Sequence, residues 1–270
     1  MKMNGLCSRI FLGILVLNLT LMAAVDSQAG HDKLNCTVCH KTVDGKVIPE
    51  THIDQTQSPS SLCLACHDAG LDRSGLLPPH VLNGSQDLAG GSFTATMQSD
   101  KTGHNIRWID EILGTTPPGG FAVDPLTCLS CHDPHPNGNY RNLKKQINGN
   151  PTPVQGIADP QYRDNIYISG MNEFCCACHQ QFHGAGQTGR GGGWSLHPVG
   201  IPIYGARHAD FDHWDRLEDK LTATQNPTAN PSDAEIFCLT CHRAHATSWP
   251  DSMRWDYSSN PQGCLECHTF

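Results

Sequence analysis

Oily side chains are scarce in this sequence. Of 270 residues only 38% are hydrophobic and only 16% are charged. Ordering a chain costs roughly 1–2 kcal/mol per residue, and so thin an apolar complement cannot offset that through an ordinary side-chain core. Also missing, beyond the N-terminal region, is any run that could span a bilayer as a helix, for which about 20 apolar residues are needed. Basic residues are outnumbered, 18 Lys and Arg against 26 Asp and Glu. An acidic chain repels phosphate backbones, so the composition argues against nucleic acid as a partner. The run GAGQTGRG at 184–191 superficially resembles a phosphate loop, but it lacks the Lys-Ser/Thr ending such loops require.

A low apolar content with 26 Gly and 18 Pro is also the composition of disordered chains. Against disorder stand 14 Cys and 16 His, because disordered tails rarely carry either. Something other than side chains is expected to fill the interior.

The first 29 residues read as a targeting segment. Lys2 and Arg9 supply positive charge, Ile10 to Val25 is apolar apart from Asn18 and Thr20, and Ser27-Gln28-Ala29 offers small residues for cleavage before Gly30. Cys7 precedes the apolar run, which argues against a lipid-anchored product. The expected mature chain is soluble and exported, to the periplasm or to the extracellular, outer surface. Loss of Lys2, Arg9 and Asp26 leaves 16 basic and 25 acidic side chains.

Twelve of the thirteen later cysteines fall into one pattern. The chain reads CTVCH at 36–40, CLACH at 63–67, CLSCH at 128–132, CCACH at 175–179, CLTCH at 238–242 and CLECH at 264–268. These are six copies of C-x-x-C-H, the haem attachment signature. Two thiols add across the two vinyl groups of one porphyrin, two intervening residues let a single turn span them, and the following His comes round to the iron. The expected thioether pairs are Cys36 and Cys39, Cys63 and Cys66, Cys128 and Cys131, Cys175 and Cys178, Cys238 and Cys241, and Cys264 and Cys267. The proximal ligands are His40, His67, His132, His179, His242 and His268. Zinc sites pair CxxC with CxxC or with HxxxH, not with an adjoining His six times over. A thioredoxin-like site would occur once, near a βαβ pattern.

With these motifs the sequence resembles the multihaem c-type cytochromes, in particular those with paired CxxCH motifs from anaerobic respiratory and metal-reducing bacteria. CLSCHDPH at 128–135 and CLTCHRAH at 238–245 are similar to that family's extended motif, in which a second His follows closely. GHN at 103–105 and LHPVG at 196–200 resemble its distal-ligand segments. The resemblance implies six haem c groups, distal ligation by His104 and His197, and second histidines, His135 and His245, aimed at neighbouring haems. His52 and His80 complete a bis-His set, with His31 and His183 as the obvious substitutes. His208 and His213 lie beside an amphipathic segment, 209–224. Met97, Met171 and Met253 have no flanking feature that marks them as ligands. Cys176, left over in CCACH, reads as an inert neighbour, with a disulfide or a reactive thiol as the alternatives.

The expected fold is mostly irregular with short α-helices packed around haem, with little or no β-sheet. Capping residues with Pro at Ser58-Pro59, Asp124-Pro125 and Asn260-Pro261, and a possible capping box at Ser232 and Glu235, mark helix starts before four motifs. The stretch 144–164, rich in Pro, Gly, Asn and Asp, reads as a linker between three-haem halves at 30–143 and 165–270. Cys63 to Cys128 and Cys175 to Cys238 are similarly spaced, a weak sign of internal duplication.

About 40 mature residues serve each haem, so the porphyrins lie close and supply the apolar interior. Filled axial positions suit electron transfer, whereas substrate chemistry needs an exchangeable site. No CxxCK variant marks a catalytic haem. The expected function is an electron carrier, not an enzyme, between a quinone-linked donor and a downstream cytochrome or terminal acceptor in anaerobic or extracellular respiration. The alternatives are a reductase with one open haem and a subunit of a conducting extracellular filament.

Overall fold

The computed structural model describes residues 30–51, 60–68, 78–82, 90–94, 101–106, 116–120, 123–157, 166–182, 199–202 and 235–259. Its α-helices are short because the attachment motif itself is one helical turn. Helix α1 is Ser60–His67, α2 Cys128–Cys131, α3 Met171–Cys176 and α4 Cys238–Cys241. Positions three apart share a helix face, so each CxxC turns both thiols to one side. The backbone then leaves the helix at the histidine. His132 and His242 are extended, and their N–H groups donate back to the carbonyls of Cys128 and Cys238 at 2.9 and 3.1 Å.

The helix starts differ from the sequence expectation. The cap before α2 is Thr127 rather than Asp124, and Glu235 lies in a strand rather than at a helix start. In a single-turn helix the third residue is near enough to close the end. Ser130 Oγ accepts the Thr127 N–H at 3.0 Å and Thr240 Oγ1 accepts the Phe237 N–H at 3.1 Å. Ser58-Pro59, Ser232 and Asn260-Pro261 lie outside the described residues. The first motif is a 3-10 turn, Cys36–Val38, closed by Asn35 Oδ1 accepting the Thr37 N–H at 3.0 Å.

The described strands form two-stranded antiparallel sheets only. Strands β1 (His40–Val43) and β2 (Lys46–Thr51) are joined at Asp44-Gly45, while β3 (Gln146–Ile147) and β4 (Asn150–Pro151) are joined at Asn148-Gly149. All four turn residues have positive φ, between 50° and 79°, the backbone that Asp-Gly and Asn-Gly hairpin turns favour. Strand β5 (Gln155–Ile157) pairs with β6 (Ile166–Ser169), and β7 (Ile201–Pro202) with β8 (Glu235–Ile236).

A compact side-chain core joins the third, fourth and fifth motifs. Tyr140, Val154, Tyr167, Met171, Phe174, Phe237 and Leu239 are buried together, with Cys131, Cys175 and Cys178 packed against them. Tyr167 meets Tyr140 edge-on at 5.2 Å and Phe237 at 5.6 Å, a favoured aromatic arrangement. Residues 144–157, read from sequence as part of a linker, carry three strands of this region together with the fully buried Thr152 and Val154.

Two motif pairs repeat one arrangement. Helix α1 packs on α2 and α3 on α4. Ser60 Oγ accepts the Cys128 N–H at 3.2 Å, and Asn172 Oδ1 accepts the Cys238 N–H at 3.0 Å, each from the residue three before the first cysteine of the preceding motif. After α2 the chain closes through left-handed Arg141 and Asn142, and after α4 through left-handed Asp251 and Ser252. Asn137 Oδ1 caps the Asn139 N–H, and Thr247 Oγ1 caps the Trp249 N–H.

The two units interlock through residues 244–247. His245 N–H donates to Gly90 O at 2.7 Å, Ser92 N–H to Ala246 O at 3.1 Å and His104 N–H to His245 O at 2.8 Å. Ala246 is completely buried between Gly91 and Gly103. A Cβ on Gly91, whose φ is +81°, would lie 2.0 Å from Ala246 O, and one on Gly103 2.4 Å from His245 O. Glycine is required at Gly91 both for its backbone angle and for the approach.

Candidate haem-binding sites

Imidazoles bind metal through a nitrogen lone pair, and the hydrogen bond at the other nitrogen decides which one is available. In all five described motifs the histidine is oriented by a backbone carbonyl. His40 Nδ1 meets Pro49 O at 3.0 Å, His67 meets Pro79 O at 3.0 Å, and His132 meets Arg141 O at 3.1 Å. His179 meets Pro118 O at 2.9 Å and His242 meets Asp251 O at 2.7 Å. A carbonyl only accepts, so Nδ1 carries the proton in each and Nε2 keeps its lone pair. Four histidines outside the motifs share this arrangement. His31 donates to Pro134 O at 3.0 Å, His80 to Asp68 O at 2.6 Å, His104 to Ala244 O at 2.6 Å and His245 to Gly91 O at 3.3 Å.

The rings then stand opposite one another in pairs. Centroid separations are 6.0 Å for His31 and His67, 6.2 Å for His40 and His135, 6.0 Å for His104 and His179, and 6.3 Å for His132 and His245. Such separations are wide for parallel rings, as His40 and His135 are, and ordinary for tilted ones. A metal–imidazole bond of about 2.0 Å plus roughly 1.1 Å to the ring centre, taken on both sides, spans about 6.2 Å. All four centroid separations match that span. The buried Trp255 Nε1 and Ser61 Oγ have no hydrogen-bond partner among the described residues, and a porphyrin's carboxylate rim can supply acceptors that relieve that cost.

Burial favours the neutral form of four of these imidazoles. It holds the pKa of His67, His104 and His132 below the ordinary histidine value, and pushes His245 down to about 3. Neutral imidazole is the form that ligates iron. The His40–His135 pair is different. The His135 side chain is 73% exposed, and its Nδ1 lies 3.8 Å from Asp133 Oδ1 instead of on a carbonyl.

Thiols of consecutive motifs are neighbours. Cys63 hydrogen-bonds Cys128, which draws the Cys128 thiol down to about 7, while burial pushes Cys131 up to about 11. Cys238 is within hydrogen-bonding reach of Cys175 and of Cys176. Cys176 occupies the second motif position, where α1 has the buried Leu64 and α4 the buried Leu239, so it fills the place of a small apolar side chain.

Of the distal candidates, the structure sets His135 against His40, His245 against His132 and His104 against His179. His31, a substitute at the sequence level, stands against His67. It was hidden because it precedes every motif and has no flanking signature. Among the described residues no ring stands at this spacing from His242. His52, His197 and the whole sixth motif, Cys264, Cys267 and His268, lie outside the described residues, as do His183, His208 and His213. Met171 is buried in the side-chain core, and Met253 pairs through its backbone with His242.

No protein-family model matches the chain. It is 22% identical over 341 aligned positions to the C-type cytochrome OmcS of Geobacter sulfurreducens, covering 82% of this chain and 78% of that protein. In fold it is similar to the outer membrane cytochrome S filament of the same organism, at TM-score 0.54 and 20% identity, covering 82% of this chain and 83% of that one. A second structure, of the OmcS nanowires, aligns at TM-score 0.53 and 21% identity. In its six CxxCH motifs, its imidazole pairs and its mostly irregular fold, the chain is similar to these multihaem c-type cytochromes.

Proposed function

We propose that this chain is an electron relay that carries six haem c groups and passes electrons along them outside the cytoplasm. The observation that carries the reading is the set of four imidazole pairs at 6.0–6.3 Å. Two protein nitrogens on one iron leave no position for a substrate, so the site suits outer-sphere electron transfer. Each bound haem supplies reversible one-electron storage at its iron. The protein's part is to hold the rings, fix their tautomers and limit water, and His104, His132 and His245 are each partly buried. Thiols that act on one another in consecutive motifs, Cys39 with Cys66, Cys63 with Cys128, Cys131 with Cys178 and Cys175 with Cys238, support a haem order that follows the sequence from the first motif to the fifth. The sixth motif and the ligands His52, His80 and His197 belong to the same proposal.

Among the described residues no helix is long and apolar enough to cross a membrane, and the likeness to an outer membrane cytochrome filament supports a place at the cell's exterior. The same likeness favours a second reading, that copies of this chain assemble into a conducting filament. Redox partners with basic docking faces suit its acidic surface. Low-temperature EPR and denaturing mass analysis of the exported holo-protein test the relay together. Six haem masses and only low-spin ferric signals are expected. A high-spin ferric signal in the native protein would argue for an open, catalytic site.

A further inference from the structure

The extended motifs carry opposite charges at the same place. His135 follows Asp133 in CLSCHDPH, whereas His245 follows Arg243 in CLTCHRAH. Asp133 is fixed where it stands, because its Oδ1 accepts the His135 backbone N–H at 3.0 Å while lying 3.8 Å from His135 Nδ1. Every other described distal ring has a neutral carbonyl at that nitrogen. The rings around the first site are also nearly parallel, at 5°, against 45° to 60° elsewhere. At the third site the nearby fixed charge has the other sign. Arg141, whose carbonyl orients His132, places its guanidinium 5.4 Å from the Tyr140 ring, and its charge acts on both His132 and His245.

A negative charge beside an axial imidazole favours ferric iron, and a positive one favours ferrous iron. We propose that Asp133 is a potential-setting residue that holds the haem of the first motif below that of the third, where Arg141 acts in the opposite sense. The two charges make an internal step in potential, so an electron arriving at the exposed first site runs downhill into the buried interior. The inference rests on His40 and His135 being axial ligands of one iron.

Spectroelectrochemical titration of the holo-protein tests it. Asp133→Asn should raise a single component by about threefold in its one-electron equilibrium constant, about 28 mV at 59 mV per decade. The exposed setting limits the effect. Asp133→Glu should restore the wild-type value, and Arg141→Gln should lower a different component while Arg141→Lys does not. Asp133→Asn protein with six haems and no displaced component overturns the proposal. In the wild type, added salt should raise the component that Asp133 controls, by screening the carboxylate. Failure of the component displaced in Asp133→Asn to move with salt in the wild type would overturn it. The ligand assignment fails separately, if His135→Ala leaves the most rhombic low-spin EPR signal, that of the parallel pair, intact.

Discussion

The unit built on the second and third motifs and the unit built on the fourth and fifth share a backbone but differ in their surroundings. Both pack one attachment helix on the next and tie the second through a polar side chain three residues before the first cysteine. Both close with two left-handed residues, Arg141 and Asn142 in one and Asp251 and Ser252 in the other. Yet α3 and α4 sit within the aromatic core, whereas residues on either side of α1 are joined by histidines and carbonyls. His67 donates to Pro79 O while His80 donates to Asp68 O. The common features are those that present two thiols and an imidazole. The differences lie in what surrounds them, so attachment imposes one local geometry and packing is free to vary around it.

The largest break in this comparison should come from Gly91→Ala. The new Cβ would collide with Ala246 O and sit at a left-handed backbone position, so the segment carrying His245 should be expelled. One haem should turn high-spin in EPR, with thermal stability falling by at least about 2 kcal/mol. His135→Ala and His245→Ala should each also convert one haem, and the double variant two. The equivalent histidines face different motifs, the first and the third, so equal high-spin intensity in single and double variants would break the assignment.

Acid separates the two sites next. A proton competes with iron for Nε2, and burial pushes His245 from the ordinary 6.5 down to about 3. Its neutral form therefore persists over that interval, while an unfolded chain would bind the proton, so its contribution to stability declines as pH falls from about 6.5 toward 3. The His135 side chain stands open to solvent, so acid reaches the first site directly. Stepwise acidification followed by absorption should release the first site before the third.

The polar ties offer a smaller contrast. Asn172→Ala removes a buried acceptor that serves both the N–H and the thiol position of Cys238, and should lower holo-protein stability by about 1–3 kcal/mol in denaturant unfolding. Ser60→Ala removes a single bond to Cys128 and should cost about 1 kcal/mol. The smallest effect is expected for Cys176→Leu. It installs the residue that α1 carries at the same place, so all six haems should be retained with a stability change below about 1.5 kcal/mol. Loss of a haem there would mean that the Cys176 thiol matters to attachment.

Legibility differed with the distance over which each feature is encoded. The attachment turns were readable because their two thiols and imidazole are contiguous. The Asp44-Gly45 and Asn148-Gly149 hairpins carried an equally local signal. The caps before α2 and α4 were misplaced upstream, because a one-turn helix is closed by its own third residue and not by a preceding Ser, Asp or Asn. The buried position of Thr152 and Val154 was not readable either. Their segment has a loop's composition, and only pairing of β5 with β6 and the packing of Tyr140 and Tyr167 draw it inward.

By itself the sequence carries the six attachment motifs and the histidine that closes each, since these follow from residues no more than four apart. The tertiary structure alone decided which second imidazole meets which motif. His31 reaches His67, His104 reaches His179 and His245 reaches His132 only where a distant carbonyl, such as Pro134 O, Ala244 O or Gly91 O, takes the Nδ1 proton. Such a carbonyl is common to every residue, so no side-chain pattern can announce it; its position is set by how the backbone segments cross.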